Sequence, residues 1–331
     1  MPFPPASGGI SEIIRKNVKA KLNGQRSASR NPKKGPPIGT IGVIQQKIFG
    51  LPVDRQVLFS NHKKAYRKSI EKRQRKLIIK ATFLKHFVRG TEKVLCITTC
   101  YSPLTLLEKI GIGWLFIYLK RSLLVFTDQR IFHIPTTPSY TYRQSVAEIA
   151  YAGCSSIRLK GRSLLVTYKR RGIIETFFGL AGKEKKKVGQ LLQTVSLTGE
   201  VPETGGRTHL CPRCTGVLPK PGNPCPNCGL KFKKGFMAVL TALLFPGGGY
   251  FYTRQYSLGL MAGLLECCLA AALAVTVNDM AGGIQTGALW LILSAIGLLV
   301  EKMVAAIHAV LLTRECIPRR KQIEFQPAGA R

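Results

Sequence analysis

The chain has 331 residues, 50 Lys and Arg against 16 Asp and Glu, a formal charge of +34, and 45% hydrophobic residues. So much apolar sequence excludes a wholly disordered chain, and the length predicts two or three structural units. The charge implies a polyanionic partner, anionic lipid or nucleic acid, while the few acids form no close carboxylate pair outside the C-terminal apolar block. With no Walker loop, HExxH or GxSxG motif either, no enzyme is expected.

Residues 1–59, rich in Pro, Gly, Ser and Lys, read as a basic, largely disordered arm. The N-terminus has no apolar core of signal-peptide length, which keeps the soluble part in the cytoplasm. Residues 60–90 follow as a basic amphipathic helix, with Tyr66, Ile70, Leu77, Ala81, Leu84 and Val88 on one face and lysines and arginines on the rest. Such a helix reads as membrane-surface binding or as a partner helix, or is an ordinary domain helix with a solvated basic face. From 91 to 197 the pattern is β-rich. Strands are predicted at 93–99, 114–119, 122–127, 130–134, 156–160, 164–169 and 173–178, followed by a helix over 181–196.

Within that stretch SLLVFTDQRIFHIP, turning at Thr127-Asp128-Gln129-Arg130, resembles the strand–turn–strand signature of bacterial pleckstrin-homology-like (GRAM-related) domains. The resemblance covers about a third of the chain. It implies a bent, partly open β-barrel capped by its last helix and used for docking rather than catalysis. No ligand residues transfer from it, and Asp128 and Arg130 read as turn and pairing residues. Three basic clusters are candidates for anion or lipid binding: Lys160 with Arg162, then Lys169, Arg170 and Arg171, then Lys183, Lys185, Lys186 and Lys187. The last occupies the first turns of a helix, where the macrodipole disfavours cations. The two turn clusters lie at opposite ends of one strand, so the three cannot form a single site.

After a polar linker at 198–209, residues 210–230 carry Cys211-Pro-Arg-Cys214 and, ten residues on, Cys225-Pro-Asn-Cys228. Two such knuckles suit tetrahedral zinc held by Cys211, Cys214, Cys225 and Cys228, a full shell with no open position for a catalytic water. The segment resembles a zinc ribbon, and its Zn²⁺ is expected to be structural. Cys96, Cys100 and Cys154 fall in predicted strands as buried, inert thiols. A reducing compartment fits this usage.

Residues 235–312 form the apolar block. Helices at 258–277 and 286–312 each clear the roughly 20 residues needed to cross a hydrocarbon core. The shorter 236–252 segment, broken by Pro246-Gly247-Gly248-Gly249, reads as re-entrant or interfacial. PGGGYFYTRQYSLG resembles the PGxGxxY opening of small bacterial membrane tail domains, commonly preceded by zinc ribbons. Basic residues flank the block on both sides and Asp279 is the lone charge of the inter-helix loop, which favours two spans with both flanks, including a basic tail at 313–331, in the cytoplasm. Three spans remain the alternative. Glu266, Glu301, Lys302 and His308 would sit at membrane depth, either with a Glu266–Lys302 pair locking the helices or as part of a proton or ion path.

The expected architecture is a multidomain α+β membrane protein of the inner membrane: a PH-like domain, a small zinc ribbon and a transmembrane helical hairpin. The expected function is non-enzymatic docking to anionic lipid or a protein partner, with self-association through the hairpin. A membrane-tethered nucleic-acid binder and an accessory subunit of a transport system are the alternatives.

Overall fold

The computed structural model describes residues 47–104, 120–199, 201–202, 205–282, 288–319 and 325. The fold begins inside the stretch expected to be a disordered arm. Strands β1 (Lys47–Ile48) and β2 (Leu51–Pro52) pair with each other, and helix α1 (Arg55–Leu58) follows, its first turn capped by Asp54, which accepts from Val57 N at 3.0 Å. Leu51, Val53 and Leu58 are buried, so the expectation of an arm reaching residue 59 is corrected: these apolar residues are core. Helix α2 (Lys68–Lys80) is shorter than the helix expected over 60–90, and a 3₁₀ turn follows at Thr82–His86. Tyr66, placed on its apolar face by the periodicity, lies outside the helix and is exposed. The buried face carries Gln74 and Ile78 instead.

Gln74 explains why that face is inward. Its side chain donates to Ile97 O (2.8 Å) and accepts from Ile97 N (3.1 Å), closing the open edge of strand β3 (Val94–Tyr101). After β3, strands β4 (Arg121–Thr127), β5 (Arg130–Pro135) and β6 (Val146–Ala150) continue the sheet, each antiparallel to the one before it, and the last is absent from the expected strands. The expected strand at 114–119 lies outside the described residues. The β4–β5 turn is held as its residues predict: Thr127 Oγ1 accepts from Gln129 N and Arg130 N, and Asp128 accepts from Lys93 N at 2.9 Å. Arg130 reaches Glu92 at 2.9 Å, and Glu148 as well.

A meander of β7 (Cys154–Lys160), β8 (Ser163–Tyr168) and β9 (Ile174–Phe177) forms a separate three-stranded sheet, and helix α3 (Gly182–Thr194) closes it. Strand β4 reads as a continuous apolar run because both of its faces are covered. Leu123 and Val125 meet Leu58, Ile78 and Leu84 on one side; Leu124 and Phe126 meet Leu164, Phe177 and Val188 on the other.

The chain then returns to the first sheet. Strand β10 (Thr208–Leu210) pairs with β6, placing Thr208 opposite Glu148, and β11 (Val217–Leu218) pairs with β10, so the sheet order is β11-β10-β6-β5-β4-β3. The end of the stretch expected to be linker is therefore a strand, and the cysteine knuckles extend the sheet instead of spacing it from the apolar helices. Helices α4 (Gly235–Leu244), α5 (Gly248–Tyr252), α6 (Tyr256–Ala281) and α7 (Ala288–Thr313) complete the described chain.

Helices α6 and α7 are long and apolar enough to cross a membrane. They are not the interior of a soluble core: Leu260, Leu264, Leu289, Trp290 and Leu299 are each about 60% exposed or more. Helices α4 and α5 form a short inward loop against them. Gly235 lies beside Thr313, Lys302 Nζ donates to Ala242 O at 3.0 Å, and Lys234 N donates back to the Tyr252 hydroxyl at 3.2 Å. Lys302 is eleven residues from Thr313, about 16 Å along a helix, roughly half of a hydrocarbon core. The segment thus runs down beside α7, turns at Gly247 and returns. Gly247, at φ +64°, and Gly248 make the turn; a Cβ on either would stand 2.0 Å from a backbone oxygen, that of Gly259 or of Thr241.

Candidate functional site

The four knuckle cysteines converge. Each Cys-Pro-x-Cys loop is closed by the same bond, Thr215 N to Cys211 O and Gly229 N to Cys225 O, both 2.9 Å. Each is followed by a residue in the left-handed region, Thr215 at φ +59° and Gly229 at φ +67°. The Sγ atoms of Cys211, Cys214, Cys225 and Cys228 all lie within 4.8 Å of one another, with Cys211 to Cys228 at 3.6 Å and Cys214 to Cys225 at 3.5 Å. A tetrahedron of thiolates about 2.3 Å from zinc has edges of about 3.8 Å, close to both of these separations, so the donor set suits the ion. Four thiolates complete the shell. Zinc here would tie β10 and β11 to the buried Leu230, Phe232 and Cys316 beneath them.

That small core also receives the end of the chain. Phe232 bridges Pro318, Lys233 N donates to Ile317 O and Arg319 N to Lys231 O. Ser145 Oγ donates to Glu315 O, and Lys120 pairs with Glu315 at 3.3 Å. Residues 314–319, at the start of the expected basic tail, are built into the fold.

The structure separates the basic candidates. Lys160 and Arg162, at the β7–β8 turn, share an end of the second sheet with Lys183, Lys185 and Lys186 at the start of α3, since Leu180 N donates to Arg162 O and Arg162 Nε to Leu180 O. Lys169, Arg170 and Arg171 lie at the β8–β9 turn, where Lys169 Nζ donates to Leu197 O at 2.8 Å. Lys187 leaves the group. It is 6% exposed, and its Nζ donates to Leu58 O (2.8 Å) and to Val57 O, capping the end of α1. A lysine committed to buried carbonyls cannot receive a headgroup. Glu184, buried in the first turn of α3 and paired with Arg73, offsets the lysines there.

At the turn between α4 and α5, Glu266 and Lys302 pair at 2.5 Å, the pair expected to lock the helices. Each also caps a broken helix end: Glu266 Oε1 accepts from Gly247 N (3.1 Å), while Lys302 Nζ donates to Ala242 O and Phe245 O. The carboxyl of Glu301 lies against Glu266. His308 Nδ1 is 2.6 Å from the Tyr250 hydroxyl, joining α7 to α5. Gly259 and Gly263 admit this loop, so their small size serves packing within the chain.

The strand cysteines are inert: burial pushes the Cys96 thiol up to about 11, and Cys100 and Cys154 up to about 12. Sequence reading missed a second polar centre, in which Arg207 Nε donates to Glu175 at 2.9 Å and Arg207 Nη1 to His133 Nδ1 at 2.9 Å. No local motif marks it, because its members come from β5, β9 and the approach to β10. No known family model matches the chain, and no curated protein matches it.

Proposed function

We propose that this chain is a membrane-anchored, non-enzymatic docking protein whose basic face engages anionic lipid or a partner protein. The observation that carries the reading is the pairing of opposites in one folded body: two apolar helices exposing leucines and the indole of Trp290, joined to a chain of charge +34. Lys231, Lys233, Lys234, Arg314 and Arg319 gather at one end of the hairpin and Asp279 lies at the other, which supports a cytoplasmic position for the folded domain. A sheet followed by a meander and a closing helix supports the pleckstrin-homology-like reading of residues 91–197. The ribbon, joined to β6, holds that domain against the anchor.

Both basic turns favour lipid over nucleic acid. β9 runs beside Leu311 and Arg314 at the end of α7, which supports a position near the hairpin for the clusters at its two ends. A fragment ending at 197 would leave the β6 edge open, so the whole chain is the proper sample. In nanodiscs of neutral lipid and of lipid containing phosphatidylserine, hydrogen exchange at 160–163 and 183–186 should slow only in the anionic bilayer. Added duplex or single-stranded nucleic acid should not reverse it. Equal exchange in both bilayers, or protection transferred to nucleic acid at modest salt, would overturn lipid docking.

A further inference from the structure

Strand β9 lies against strand ends of the first sheet. Phe178 bonds with Tyr101 at the end of β3, and Glu175 meets Arg207 just ahead of β10. Between β9, these strand ends and the last turn of α7 opens a cavity of about 390 Å³. That volume lies within the range of small-ligand sites, about 300–1,000 Å³.

Its chemistry is mixed. Lys120, Arg207 and Arg314 supply three cations, Glu175 and Glu315 two carboxylates, and Ile174, Phe178 and Leu311 an apolar lip beside the end of α7. Glu175 is taken up by Arg207, whereas Glu315 uses only Oε1 for Lys120. Glu315 Oε2 and His209 Nδ1 are buried without a hydrogen-bond partner, and Glu315 is only 8% exposed. Unmatched buried polar atoms are costly unless a ligand satisfies them. A bare anion would face Glu315, and a bare cation would face the three positive side chains. A ligand carrying both an anionic group and hydroxyl donors answers both demands.

We propose that this mouth binds a phosphate-bearing polyol, the headgroup chemistry of a phosphatidylglycerol-type lipid. The phosphate lies toward Arg314 and Lys120, and a polyol hydroxyl donates to Glu315 Oε2. The ligand class follows from the cavity, while its arrival as a lipid rests on the membrane reading above.

The test uses the full chain in a neutral detergent, titrated with short-chain phosphatidylglycerol, phosphatidic acid, phosphatidylcholine and soluble glycerol 3-phosphate. Saturable binding of phosphatidylglycerol above phosphatidylcholine and phosphatidic acid is expected. Arg314→Gln should weaken it roughly ten-fold, the loss of one charge-assisted contact. Thr176→Trp, on the β9 wall, should abolish it, with an unchanged melting temperature showing that the fold survives. Equal binding of phosphatidylcholine, equal binding of phosphatidic acid, or wild-type affinity in both variants overturns the proposal. Binding of glycerol 3-phosphate alone supports the ligand chemistry and assigns a soluble source. If anionic nanodiscs leave the basic turns unprotected but phosphatidylglycerol still binds, surface docking fails and this site stands.

Discussion

His133 is held neutral by its neighbours. Arg207 can only donate to Nδ1, which leaves the ring proton on Nε2, directed at Ser102 Oγ 2.8 Å away. Burial, then the positive charge of Arg207, keeps this imidazole well below its ordinary range. In the unfolded chain the same ring takes a proton below about pH 6.5, so the unfolded state binds more protons there and stability falls as pH falls. The decline should approach about 1.4 kcal/mol per pH unit for this one group between about pH 6 and 5. Melting temperatures across that window should drop, and His133→Asn should flatten the slope although it lowers the starting value. A slope unaltered by the substitution would assign the acid sensitivity elsewhere. The residue scale was only partly legible in the sequence. Asp128 and Arg130 could be read as turn and pairing residues because their partners lie near the turn in register. Lys187 and Lys186 are adjacent lysines of one run, yet one is buried against carbonyls of α1 and the other is exposed, a distinction only tertiary packing makes.

Elements with strong periodicity or turn signals were readable, and short ones completed by neighbours were not. Strands β3, β4, β5, β7, β8 and β9 and helix α3 follow alternation, turns and spacing. β10 is three residues long and exists because β6 offers an edge and the first knuckle anchors its end. Its hidden dependence on the cysteines makes a prediction. Cys225→Ser removes one of four thiolates, and with it most of the folding energy that zinc contributes to such a site. Metal content by mass spectrometry should fall from about one zinc per chain to near zero. Hydrogen exchange should then quicken across Val146–Ala150 and at Lys233 and Arg319, which bond to the ribbon and the returning chain. The α6–α7 hairpin, which has its own contacts, should keep its protection. Fast exchange confined to the knuckles would instead mean that β10 holds without metal.

At the scale of the whole molecule, one topology accounts for the polar groups described among the apolar helices. With two spans, the α4–α5 loop would start and end at the Thr313 level, and the caps that Glu266 and Lys302 give its broken helix ends would meet what hydrocarbon requires. With three spans, α4 at ten residues would reach only about 15 Å and leave Lys233 or Arg254 to cross. The returning chain adds a second constraint: Arg319 bonds to Lys231, so the two flanks of the block lie together, and three spans would have to part them. Single cysteines separate the cases. In sealed proteoliposomes with the domain facing outward, Ser139→Cys should react with a membrane-impermeant thiol reagent, and Asp279→Cys should react only after the bilayer is opened. Cys267 and Cys268 lie within α6 and should stay unlabelled by a polar reagent in either state. Simultaneous labelling of positions 139 and 279 in sealed vesicles would place both ends of α6 in water on one side, and the helices would then be packing surfaces for another protein. Labelling on opposite sides makes the Glu266–Lys302 pair a buried clasp, and it fixes the cavity beneath β9 at the level where headgroups lie.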